Sequence, residues 1–236
     1  MDSIWVVLIP FPFAKPSPFY ETDPESDVLV IVPPWQKHPS TPCDNTDIGA
    51  TQPPPLPIDN LRHSGLRIKV SSKHLTLASP IFTQKLRHFH RNTSVRADGR
   101  IHLTLAPGAF HPRAVAIVLN AVHGKGSKVP KAVDIETLAQ IARFVDTFRL
   151  LDVLEVYADR WTSNLLLSRG VPNVCGRELV MWVYLSSVFG HAEAFRAATR
   201  VAVVKGEGVI RGEGLPIAEG VVSELEFILH QYPACN

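Results

Sequence analysis

The stretch "LRIKVSSKHLTLASPIF", residues 66–82, decides the fold. Leu66, Ile68 and Val70 alternate with Arg67 and Lys69, the period of a strand with one buried face. Ser71 and Ser72 then offer hydroxyl caps for a helix beginning near Lys73. Pro80 disfavours helical geometry at Ser79 but suits the first position of a new helix, with Ser79 as its cap. A strand running into two helical segments broken at Ser79-Pro80 is therefore expected. Leu75, Ala78, Ile81, Phe82, Leu86 and Phe89 form the apolar face, which leaves Lys85, Arg87 and Arg91 nearer solvent. Continued to residue 90, the stretch holds eight Lys, Arg or His and no carboxylate.

Upstream, "SDVLVIVP" (residues 26–33) is a valine-rich run stopped by Pro33-Pro34, as a buried strand would be. Residues 34–63 are dense in Pro, Ser, Thr, Asp and Asn without periodicity, and read as a disordered insertion between two strands. Residues 1–25 read as a tail. Its apolar run at 4–9 is cut by Pro10 and Pro12 and follows no basic residue, so neither a signal peptide nor a membrane helix is expected.

Downstream, "RIHLTLAP" (residues 100–107) gives a third strand with Ile101, Leu103 and Leu105 on one face. A helix with Pro112 in its first turn and Gly124 past its end follows, carrying a stripe of Val115, Val118, Leu119 and Val122. Asp134 caps the next helix (Leu138, Ile141, Val145, Phe148), and another carries Leu154, Tyr157, Ala158, Trp161 and Leu165. Beyond the turn at Gly170 comes a helical pair broken at Gly190, then a glycine-rich loop and a short amphipathic helix at 221–230. Three strands interleaved with helices, then an all-helical second half, define an α+β class.

Of the 236 residues, 45% are hydrophobic and 19% charged, enough apolar material for a true core. Cys43, Cys175 and Cys235 are odd in number, widely spaced and without metal-ligand spacing, which suits free thiols in a reducing compartment, cytoplasmic or nuclear. The net charge of +2 conceals an asymmetry. Residues 61–131 hold thirteen Lys or Arg against Asp98 alone, whereas the remaining eleven bases face twenty-one acids. Such a block fits either a polyanion partner or acidic surface within the same fold.

Chemistry is sparse. The chain has no Gly-x-Ser-x-Gly elbow, His-Glu-x-x-His pair or Walker loop. "KGEGVIRGEG" follows a helix instead of opening one, so it reads as a flexible loop rather than a dinucleotide site. His88 and His90 stand two apart on a helix, facing different sides, with no carboxylate or thiol near in sequence to complete a zinc site. Neither an enzyme nor any metal or cofactor is expected. The basic cluster Lys85, Arg87, Arg91, Arg96 and Arg100 could release counterions from a nucleic acid. It lacks interleaved stacking aromatics and any nucleic-acid-binding signature, so a solvated or internally neutralised face is favoured.

The order of elements resembles the BTB/POZ domain, a small α/β interaction module, with a helical extension of the kind that follows it in many fungal proteins. The matching residues are the first strand Asp27-Val28-Leu29-Val30-Ile31-Val32 and the second-strand segment from Ile68 through Leu75, with Ala78, Ser79 and Phe82. The third strand at 100–105 and the helices through Trp161 complete a match over residues 26–166. The resemblance implies a three-stranded sheet with flanking helical hairpins over 26–166, and a helical C-terminal extension over 167–236. It also implies a non-enzymatic adaptor or scaffold role, through protein partners or a homodimer and with no membrane. Asp27 and Lys69 match the acid and base that line a groove pocket in transcription-repressing members; the competing reading has Asp27 capping its strand and Lys69 solvated. Cullin-adaptor members often carry a hydrophobic-x-Glu element after the helical hairpin, and residues 87–100 contain no Glu. Lys85, Arg87, Arg91 and Arg96 join Asp27 and Lys69 as the expected partner contacts.

Overall fold

The computed structural model describes residues 19–35, 65–92 and 98–205, with side chains at 88–92 excepted. Among these residues it is an α+β protein with a small mixed sheet and seven α-helices. The strands are β1 (Phe19–Glu21), β2 (Val28–Val32), β3 (Leu66–Val70) and β4 (Ile101–Thr104). The helices are α1 (Ser72–Ala78), α2 (Pro80–Asn92), α3 (Pro112–Val122), α4 (Ile135–Phe148), α5 (Leu151–Ser168), α6 (Arg177–Val188) and α7 (Ala192–Lys205). No described helix is long and apolar enough to cross a membrane. The chain divides into two compact units. Among the described residues the first comprises 19–35, 65–92, 98–130 and 144–154, and the second comprises 131–143 and 155–205.

In the first unit the sheet order is β1-β3-β2-β4. β2 and β3 pair antiparallel, Val30 opposite Ile68, and β4 returns parallel to β2 with Leu103 opposite Val30. The fourth strand corrects the expected three. Phe19–Glu21 lies within the presumed tail and pairs parallel with β3. Three residues are too few to show a period-two pattern, and their support is cross-strand. Arg67 sits over the Phe19 ring at 5.4 Å, Lys69 pairs with Glu21 at 3.0 Å, and Asn120 donates to the Tyr20 hydroxyl at 2.9 Å. The third strand is also shorter than expected, ending at Thr104, although Leu105 is still buried.

Gly65 leads into β3 with φ +69°, and a Cβ there would lie 2.7 Å from the Val32 carbonyl oxygen, so only glycine fits this close approach. The core of the unit joins the inner face of the sheet to an aromatic cluster. Phe82 of α2 stacks on Phe148 at 4.4 Å, while Phe110 meets Phe144 edge-on at 5.2 Å. α3 is buried at every position from Ala114 to Val122, not along one stripe, because it packs against α1, β3 and the 3-10 turn Gly126–Lys128. Its end is a Schellman turn: Gly124 at φ +67° donates to Ala121, and Lys125 donates to Asn120.

The second unit is helical. Asp134 caps α4 as expected, its Oδ1 accepting from the Thr137 N–H at 2.8 Å. Leu138 and Ile141 of α4 and Ala158, Trp161 and Leu165 of α5 are buried, as are Leu179, Met181 and Trp182 of α6. α6 and α7 pack together as a helical pair broken at Gly190, φ +70°, as the sequence predicts. Arg177 meets Glu136 with two parallel bonds of 2.9 and 3.2 Å. The Pro-rich insertion beyond Trp35, the early apolar run, the glycine-rich loop and the 221–230 helix lie outside the described residues.

Candidate interaction site

Asp27, Lys69, Lys85 and Arg87 are the expected contact residues whose side chains are described, and each has a distinct environment. Asp27, just before β2, reaches across to the start of α1. Its Oδ1 accepts the Ser72 N–H at 2.7 Å and its Oδ2 accepts the Ser72 hydroxyl. Ser71 occupies the N-cap position without a side-chain capping bond. The serine pair in the sequence thus marks the helix start correctly, but a carboxylate 45 positions upstream does the capping. An anion there also suits the positive end of the helix. Asp27→Ala is expected to destabilise the protein by about 1–2 kcal/mol, and Asp27→Asn, which keeps one acceptor, by less; urea denaturation measures both.

Lys69 is not merely solvated. Its ammonium meets Glu21 across the β1–β3 ladder, and Lys128 donates to the Glu21 backbone carbonyl while lying over the Tyr20 ring. Farther along the block, His102 and Asp98 are 2.8 Å apart, and the hydrogen bond from His102 holds Asp98 below the usual carboxylate range. Arg100 donates to Ser26 and to the Asp98 carbonyl. Part of the positive block is therefore absorbed inside its own unit.

Another part sits on the hairpin. Arg87 is exposed on α2, and Lys85 is half-buried, with burial pushing its amine below the ordinary lysine range. Arg91 belongs to α2 through its backbone, and Arg96 lies outside the described residues. On α1, Lys73 and His74 are exposed one turn before Leu77, whose side chain is 90% exposed. Leu77 leaves no mark in the sequence because it falls between buried Leu75 and half-buried Ala78 within one apolar run. Its place on the helix, opposite Leu75, is what exposes it.

A second feature has no local signal in the sequence. Asp23, His74 and His123 bring ligand-type atoms within 4.8 Å of one another, and the two rings stack with centroids 4.8 Å apart. They come from the β1–β2 turn, α1 and the end of α3, so their separation in sequence hid them. The donor set does not fit a metal as it stands. His123 Nδ1 bonds the Leu119 carbonyl at 2.7 Å and Nε2 accepts the Ser71 N–H at 3.0 Å, so no lone pair is left for a cation. Compared with protein-family models and with curated proteins, the chain matches none.

Proposed function

We propose that the chain is a non-enzymatic protein-interaction module of the BTB/POZ-like kind, binding a protein partner through the outer face of its α1–α2 hairpin. The observation that carries this reading is the order of elements in the first unit. An antiparallel β2–β3 pair leads into a two-helix hairpin, and the chain then returns as β4 parallel to β2 before entering α3. The strands β3-β2-β4 correspond to the three that the resemblance implies, and β1 is an addition at the edge. The outer face offers chemistry suited to a partner: an exposed leucine beside Lys73 and His74, with Arg87 on the second helix.

The test is affinity capture from native cells with quantitative partner identification, comparing the full chain with a Leu77→Asp, Arg87→Glu variant. Both positions are exposed, so the melting temperature is expected to hold while the captured partner loses about tenfold or more in affinity. Unchanged capture by the variant would reject this face. Salt-sensitive binding to nucleic acid that Arg87→Glu with Arg91→Glu abolishes would replace the reading with a polyanion one.

A further inference from the structure

His123 closes α3, and both of its ring nitrogens are bonded to backbone. The Leu119 carbonyl can only accept, so Nδ1 carries the ring proton; Nε2, 3.0 Å from the Ser71 N–H, must then be the acceptor. Ser71 is the residue between β3 and α1. One neutral imidazole thus joins the end of α3 to the start of the helical hairpin, with a residue exposure of only 7%. A proton arriving at Nε2 would face the Ser71 N–H donor to donor, and the bond cannot survive it. The new charge would also be buried and stacked against the His74 ring, 4.8 Å away and inclined by 30°.

We propose that His123 is an acid-sensitive latch: while neutral it fastens Ser71 and the α1–α2 hairpin to α3, and protonation at Nε2 releases the hairpin's start. The groups facing the ring act in both directions. Burial is the largest influence and holds His123 below its usual 6.5; His74 of α1 and Lys125 beyond α3 act the same way. The bond to Leu119 and the Asp23 carboxylate of the β1–β2 turn oppose them. Because the folded ring is the weaker base, the latch contributes its full stability above pH 6.5. That contribution is lost as pH falls from 6.5 through the lowered folded value, and it levels off below. The inference stands on this geometry, whatever partner the hairpin takes.

The test is an NMR titration of the full chain between pH 8 and pH 5, following the His123 ring and the exchange protection of the Ser71 amide together. The expected result is a His123 midpoint below 6.5, with Ser71 protection falling about tenfold across the same titration. His74→Ala, an exposed position, is expected to move the His123 midpoint upward. His123→Gln is expected to abolish the step at Ser71, and should that variant fail to fold, the wild-type and His74→Ala titrations decide alone. A His123 midpoint at or above 6.5, or Ser71 protection that ignores the titration, overturns the latch. So does a zinc ion that raises the melting temperature of the wild type but not of His74→Ala, because Nε2 would then serve a metal.

Discussion

Phe82→Ala is expected to lower the unfolding free energy by about 3–5 kcal/mol, the largest single effect proposed for the first unit. The ring is wholly buried and lies nearly parallel to Phe148, 13° between planes with centroids 4.4 Å apart; it also reaches Phe144 at 6.4 Å. Truncation removes the transfer free energy of a benzyl group, and it opens a void among rings that α2, α4 and Phe110 hold from three sides. Collapse into that void would require α2 to shift as a body, and its Ser79-Pro80 start is fixed. A domain of this size has a total stability of about 5–15 kcal/mol, so the loss is a large fraction of it. Phe82→Leu, which keeps most of the volume, is expected to cost less than half as much. Urea denaturation of the three proteins, read by far-UV circular dichroism, gives the ranking. A loss below ~1.5 kcal/mol for Phe82→Ala would mean that the aromatic cluster does not hold the hairpin.

The elements legible in the sequence are those whose signal is local. Val28–Val32, Leu66–Val70, the Ser79-Pro80 break and the Gly124 and Gly190 helix ends were each marked by residues adjacent to the feature they create. Pro at the first helical position and Gly just past the last need no tertiary partner to be read. What stayed hidden depends on distant residues. β1 is a strand through its pairing with β3, where Lys69 and Arg67 meet Glu21 and Phe19 across the ladder. Asp27 looked like a strand start or a groove acid, and it proves to cap a helix that begins 45 positions later. The stacked His74 and His123 rings are brought together by the packing of α1 on α3, a contact without sequence periodicity. The charge asymmetry is legible as a count, but only geometry separates Lys69, already paired, from Arg87, still exposed.

Ser79→Ala is expected to cost about 2–4 kcal/mol, far more than an ordinary helix cap, because one hydroxyl serves two buried groups. Ser79 is completely buried. Its Oγ accepts the Phe82 N–H at 3.1 Å, capping α2, and donates to the Phe148 carbonyl at the end of α4. That carbonyl needs the bond. The Schellman turn at Arg149, φ 51°, pairs the carbonyls of Val145 with Leu150 and of Asp146 with Arg149, and leaves the Phe148 oxygen to be satisfied from elsewhere. Alanine strands a donor and an acceptor together in the interior. Threonine keeps the hydroxyl but adds a methyl group where there is no room, so Ser79→Thr is expected to lose about 1–3 kcal/mol through overpacking instead. Phe148 anchors both the Ser79 hydroxyl and the Phe82 ring, so the double variant Ser79→Ala, Phe82→Ala is expected to depart from the sum of the single losses by about 0.5–3 kcal/mol. Should the two losses add within about 0.3–0.5 kcal/mol, the α2 cap and the aromatic cluster are independent, and Phe148 is not the shared anchor of the hairpin.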